Sequence, residues 1–240
     1  KGFRVAPDVT AEYNFSDSYV LYMQAKGGKR QNDFRRLETF CPYGQITSQP
    51  DATYEQLNAA LGFKASPVAG LWFNLYGGYQ NLKDDLYFYP ETENYEVLRI
   101  SQWNTSNIYA GLEVSYDYKD ILTFSASGIY RSWDASKNES NETPNKILVF
   151  KPAFEADFHV DIHPISSVLI NLGYQNISRE KVGDAKVAPV SNLYLGGSYE
   201  FFKGISAYAR INNLLNKDYQ YYWGYPTEGI NFLGGVSFKF

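Results

Sequence analysis

Between Val9 and Phe240 the chain alternates apolar and polar residues, segment after segment, and no apolar face in that alternation carries a charge. The closing stretch shows the pattern. Ile230, Phe232, Val236, Phe238 and Phe240 share one parity, while Asn231, Ser237 and Lys239 hold the other. A period of two puts successive side chains on opposite faces of a strand. Ten earlier segments repeat it, centred on Val9–Phe15, Tyr19–Ala25, Leu57–Phe63, Leu71–Tyr79, Ile108–Tyr116, Leu122–Tyr130, Leu148–Val160, Val168–Tyr174, Leu193–Phe201 and Ile205–Ile211. Pro152 falls inside one of them and has no N–H for a ladder, which predicts a bulge or an exposed edge there.

Alternation alone fits a soluble sandwich as well as a membrane wall. The charge exclusion and the connections separate the two. An outward Lys or Arg at mid-bilayer costs about 2–4 kcal/mol, so a lipid-facing strand keeps charge off that face. Alternate links are short (Ser16–Ser18, Ser66–Gly70, Lys119–Asp120, His163–Ser166, Phe202–Gly204), and the intervening ones, near 27–53, 81–106, 132–146, 178–190 and 216–228, are long and polar. Short turns at one end and long loops at the other are the habit of outer-membrane barrels. Composition agrees. Aromatics make up 18% of the chain and charged residues 20%, the mean hydropathy is −0.39, and nothing approaches the ~18-residue apolar run of a membrane helix. The reading is all-β: a transmembrane antiparallel up-and-down β-barrel, with residues 1–240 as one barrel domain in the bacterial outer membrane.

Eleven segments are an odd count, whereas single-chain bacterial barrels have even ones. With no signal peptide and no initiator Met at Lys1-Gly2-Phe3, the expectation is the C-terminal portion of a larger barrel of about 22 strands, the size that encloses a plug. Net charge is −4 and basic residues cluster no further than Lys29-Arg30 and Arg35-Arg36, so nucleic acid is not an expected partner. Cys41, the sole cysteine, forms no internal disulfide.

The stretch Ala209-Arg210-Ile211-Asn212-Asn213-Leu214-Leu215-Asn216-Lys217-Asp218-Tyr219, followed by Tyr225-Pro226 and a final strand ending on an aromatic, resembles the penultimate-strand motif of TonB-dependent outer-membrane receptors. Thr227-Glu228-Gly229-Ile230 stands where that family often has Pro-Gly-Arg. The resemblance spans about thirty residues. It implies uptake of a scarce nutrient, a plug domain and TonB as partners supplied by other parts of the protein, and Phe240, with Phe238, as the signal for the outer-membrane assembly machinery.

On the polar faces, Glu113, Asp117, Lys151, Glu155, Asp157, His159, Glu200, Arg210 and Lys239 are candidates to line the lumen, as a solvated wall or a plug-docking surface. Tyr221, Tyr222, Trp223 and Tyr225 are candidate ligand contacts in an outer loop, and other aromatics near the long-loop end (Phe40, Tyr43, Tyr87, Phe88, Tyr89, Trp103, Trp133, Tyr219) fit an interfacial girdle. Asp84, Asp85, Glu91 and Glu93 lack the spacing of a calcium loop, so no metal and no cofactor are expected. Alternatives are a non-transporting or porin-like barrel and, more remotely, a membrane hydrolase using His159 or His163. The hydrolase lacks a nucleophile and an orienting partner, so no enzyme activity is expected.

Overall fold

The computed structural model describes residues 5–46, 49–90, 97–135, 147–180 and 187–239. In chain order the elements are β1 (Asp8–Ser16), β2 (Tyr19–Arg30), α1 (Phe34–Phe40), β3 (Gly44–Gln45), β4 (Thr53–Ala65), β5 (Leu71–Pro90), β6 (Leu98–Tyr118), β7 (Leu122–Ala135), β8 (Pro152–Ile165), β9 (Val168–Arg179), β10 (Val190–Phe202), β11 (Ile205–Asn212), β12 (Gln220–Tyr222), β13 (Tyr225–Pro226) and β14 (Asn231–Phe238). Eleven of them form a continuous meander in the order β1-β2-β4-β5-β6-β7-β8-β9-β10-β11-β14, and β3 adds to β6. These eleven are the expected segments. Each meander pair is antiparallel. β1 and β14 end the sheet and do not pair with each other, so the described residues form an open wall.

One face of this wall is bare hydrocarbon. Phe154, Phe158, Leu195 and Phe238 are 40%, 42%, 41% and 59% exposed. Burying such side chains stabilises by roughly 1.5–3 kcal/mol each, and the protein itself does not do it. The two clusters of buried hydrophobic residues lie elsewhere, at the long-loop end. A wall whose apolar face is uncovered while its charges share the other face needs an apolar solvent.

The polar face is knitted by long side chains that reach over glycines. Tyr22 on β2 lies directly opposite Gly62 on β4, crosses it, and donates its hydroxyl to Asn74 Oδ1 on β5 at 3.1 Å. Tyr109 on β6 crosses Gly78 on β5 and donates to Asn58 Oδ1 on β4 at 2.6 Å. Tyr194 on β10 crosses Gly173 on β9 and meets His159 Nδ1 on β8 at 2.9 Å. A Cβ at Gly62, Gly78 or Gly173 would lie 2.3, 2.6 or 2.1 Å from the crossing ring. Only glycine leaves the ring room to lie flat and span two strand spacings.

Several boundaries differ from the sequence expectation. The stretch near 81–106 is mostly strand: β5 runs on to Pro90 and β6 starts at Leu98. The reason is a pair of bulges at one level, one on β4 between Glu55 and Asn58, which interrupts its pairing with both β2 and β5, and one on β5 between Leu82 and Asp85, with Asp84 at φ 55°. One extra residue moves later side chains to the other face, so the alternation changes phase and reads as irregular. The stretch near 27–53 holds the end of β2, α1 and β3. β8 starts at Pro152, not Leu148, with the expected bulge between Pro152 and Phe154. Its first residue is where a strand tolerates a missing N–H. His163 belongs to β8, and the turn is Ser166–Ser167.

Candidate functional site

The polar face gathers three of the predicted wall carboxylates. Glu113, Ser127, Asp157 and Gln175 stand in one cross-strand row over β6, β7, β8 and β9. With Tyr76 and Glu155 they line a cavity of about 260 Å³. Glu113 accepts from Asn74 Nδ2 at 3.1 Å, Asp157 accepts from Gln175 Nε2 at 3.5 Å, and Glu155 pairs with Arg131. That ion pair is partly solvated, so its contribution is small. Nearer the long-loop end, buried Glu55 accepts from Gln80 at 2.5 Å, Asn58 at 3.3 Å and Arg30 at 3.3 Å.

The remaining candidates are dispersed. His159 Nε2 stands 3.0 Å from Asp161 Oδ1, and Arg210 stacks 3.8 Å over the Tyr194 ring while donating to Asn212 Oδ1. Glu200 Oε1 accepts from Gly204 N at 2.8 Å and caps a short turn. Asp117 sits at the short-turn end with its N–H on Gly70 O. Lys151 precedes β8 and lies among the outer segments, where Nζ meets Asp85 Oδ2 at 2.5 Å and Leu86 O at 3.1 Å and sits 4.9 Å from the Trp133 ring. Lys239 follows β14 and closes a turn onto Gly204 O. Phe238 points out from the apolar face, and Phe240 lies outside the described residues. Among the described residues, no cluster of His, Cys, Asp or Glu has the makings of a metal site. Glu91 and Glu93 are outside them.

The long-loop end is a packed cap rather than a fringe. Asp33 caps α1 by accepting from Arg36 N at 2.9 Å, and the helix buries Leu37. Leu37, Cys41, Leu86, Phe88, Leu98 and Ile100 form a dry core, against which Phe40, Phe150, Tyr222, Trp223 and Tyr225 pack. Of the candidate ligand-contact aromatics, Tyr222, Trp223 and Tyr225 are partly buried and pack against this core. Tyr221 turns toward the wall and donates to Gln175 Oε1 at 2.7 Å. The girdle expectation likewise gives way for Trp103 and Trp133, which pack on Ala135, Ile147 and Leu148. Aromatic clustering in the sequence marks both a girdle and a core, and only the fold of the loops tells them apart. Burial pushes the Cys41 thiol up to about 11, so it stays protonated and inert at neutral pH.

The asparagine motif acts as a staple. Asn213, at φ 50° and 1% exposed, donates its N–H to Asn192 Oδ1 and its Nδ2 to Lys217 O and Glu228 O, while Oδ1 accepts from Lys217 N. Asn216, at φ 46°, accepts from Ile230 N at 3.2 Å. The pair holds the β11–β14 link closed. Asn213→Ala loses three side-chain hydrogen bonds, each worth about 1 kcal/mol, and a left-handed conformation that asparagine tolerates. The expected cost is about 2–4 kcal/mol, read as a lower urea midpoint in detergent or vesicles.

No protein-family model and no curated protein matches the sequence. Solved structures do match the fold. The chain is similar to a copper transporter, OprC (18% identity, 96% of this chain, 40% of that one, TM-score 0.65). It is similar to the siderophore receptor PirA from Acinetobacter baumannii (14% identity, 98% and 41%, TM-score 0.68). The ferric-catecholate import receptor Fiu from E. coli K12 matches at 12% identity, 96% and 34%, with a TM-score of 0.67. The chain thus spans between a third and about two fifths of the length of these proteins.

Proposed function

We propose that this chain, whose fold is the C-terminal barrel wall of the TonB-dependent outer-membrane receptors, serves as that wall in a receptor importing a scarce nutrient. The observation that carries the reading is the pairing of an uncharged, uncovered apolar face with a continuous hydrogen-bonded polar face. The first belongs in a bilayer and the second around a polar filling. The neighbours' names, a copper transporter and siderophore and ferric-catecholate receptors, support a metal or metal chelate as cargo. In this reading the free edges at β1 and β14 pair with further strands of the same barrel. Edges left unpaired in hydrocarbon cost several kcal/mol per orphaned group. A plug domain and TonB, supplied by other parts of the protein, complete the importer, and the chain performs no bond chemistry. The packed cap favours a receptor over an open porin.

The test is uptake by metal-starved cells that depend on the full-length protein containing this chain. Accumulation of radiolabelled copper or of an iron chelate, lost when TonB is removed, is the expected outcome. TonB-independent leakage of small sugars instead would establish the porin-like alternative.

A further inference from the structure

The β12–β13 hairpin grows from the link between β11 and β14, at one end of the sheet, yet its partners lie far along it. Arg179, at the end of β9, donates to Gln220 O at 2.7 Å and Tyr221 O at 2.8 Å. On the other side Tyr222 meets Phe88 of β5 at 5.8 Å, and Tyr225 stacks on Tyr43 of the β2–β4 link at 3.7 Å, with ring planes 10° apart. Five strands separate β5 from β11 in the sheet order. At about 4.8 Å per spacing that is roughly 29 Å along the wall. A hairpin of seven residues cannot bridge that length along the wall, so the outer ends of these distant segments meet it over the polar face rather than around the sheet. Gln175 marks the crossing: it accepts from Tyr221 and also lines the cavity with Glu113 and Asp157.

The hairpin has little structure of its own to hold it there. Its ladder is two residue pairs, too short to be stable alone. Its place is set by ring contacts and a few hydrogen bonds, all reversible. The Tyr43–Tyr225 stack is open to water, with Tyr43 47% exposed.

We propose that the β12–β13 hairpin is a strap latched by the Tyr43–Tyr225 stack, and that a solute from the long-loop side reaches Gln175, Glu113 and Asp157 only when the stack parts. The inference rests on the proposed function in one respect, that the long-loop side faces the cell exterior. The experiment uses the full-length protein in intact cells, in a Cys41→Ala background. Ser127→Cys places a thiol in the cavity lining, and a membrane-impermeant maleimide is added from outside. Tyr225→Ala is expected to raise the labelling rate at that thiol at least tenfold, and Tyr225→Phe, which keeps the ring, to leave it unchanged. Equal rates in all three overturn the strap. Should Tyr225→Ala not reach the membrane in normal amount, Tyr43→Ala parts the same stack from the other side. Phe34→Cys, 71% exposed on α1, is the control for orientation. Failure to label it counts against the outer-membrane reading, and the strap is then judged by the same three rates in detergent.

Discussion

Leu112→Arg is expected to destabilise the folded wall by about 2–4 kcal/mol, while Ser127→Arg, on the neighbouring strand, changes stability by less than about 0.5 kcal/mol. Leu112 is the middle residue of the outward row Ile108, Ala110, Leu112, Val114 and Tyr116 on β6, and it is 45% exposed. In water, a charge at a site so open costs nothing notable. In hydrocarbon, the guanidinium must be desolvated or drag water and headgroups inward. Ser127 opens onto the polar face beside Glu113 and Asp157, where a cation finds two carboxylates. The measurement is urea unfolding of the full-length protein refolded into phospholipid vesicles. Equal effects of the two substitutions would falsify the assignment of faces.

Gly173→Ala is expected to cost about 1–3 kcal/mol, large for one methyl group on a half-solvated wall. Its Cβ would lie 2.1 Å from Tyr194 Cζ. To make room the ring must lift, which breaks the 2.9 Å contact to His159 and disturbs Arg210, stacked 3.8 Å away. The double-mutant cycle with Tyr194→Ala is decisive: removing the ring removes the three atoms nearest the new methyl group, so a coupling energy of at least about 1 kcal/mol is expected. Gly28 is the control. A Cβ there has no heavy atom within 4 Å, so Gly28→Ala is expected to be neutral or to stabilise by up to about 1 kcal/mol through the unfolded chain. Additive effects at Gly173 and Tyr194 would mean that the crossing ring has no part in holding the strands together.

The wall was legible in the sequence because a strand's faces follow from parity alone. From Val9 to Ala25, from Leu57 to Tyr79 and again from Ile108 onward, apolar and polar positions alternate without a break in phase long enough to hide a strand of the meander, and each short turn falls within a few residues of its predicted place. Legibility failed where phase failed. The bulges on β4 between Glu55 and Asn58 and on β5 between Leu82 and Asp85 shift the alternation by one, so the start of β4 and the upper half of β5 passed for loop. The candidate site divided along the same line. Glu113, Glu155 and Asp157 line one cavity of the polar face, a grouping that parity expresses, whereas Lys151 precedes β8 and no strand parity governs it.

The sequence by itself determined that these strands form a meander with a charge-free face and short turns at one end. That information is local, repeated every second residue, and needs no knowledge of which strands meet. Only the tertiary structure decided what the outer aromatics do. Phe88 lies on β5, Phe150 between β7 and β8, and Trp223 and Tyr225 in the β12–β13 hairpin, and whether such rings face lipid, ligand or one another depends on contacts between segments as far apart in the chain as Tyr43 and Tyr225. The same holds for the tyrosines that cross Gly62, Gly78 and Gly173. Each contact joins strands two apart in the sheet, a relation set by register and by missing side chains rather than by any pattern within one strand.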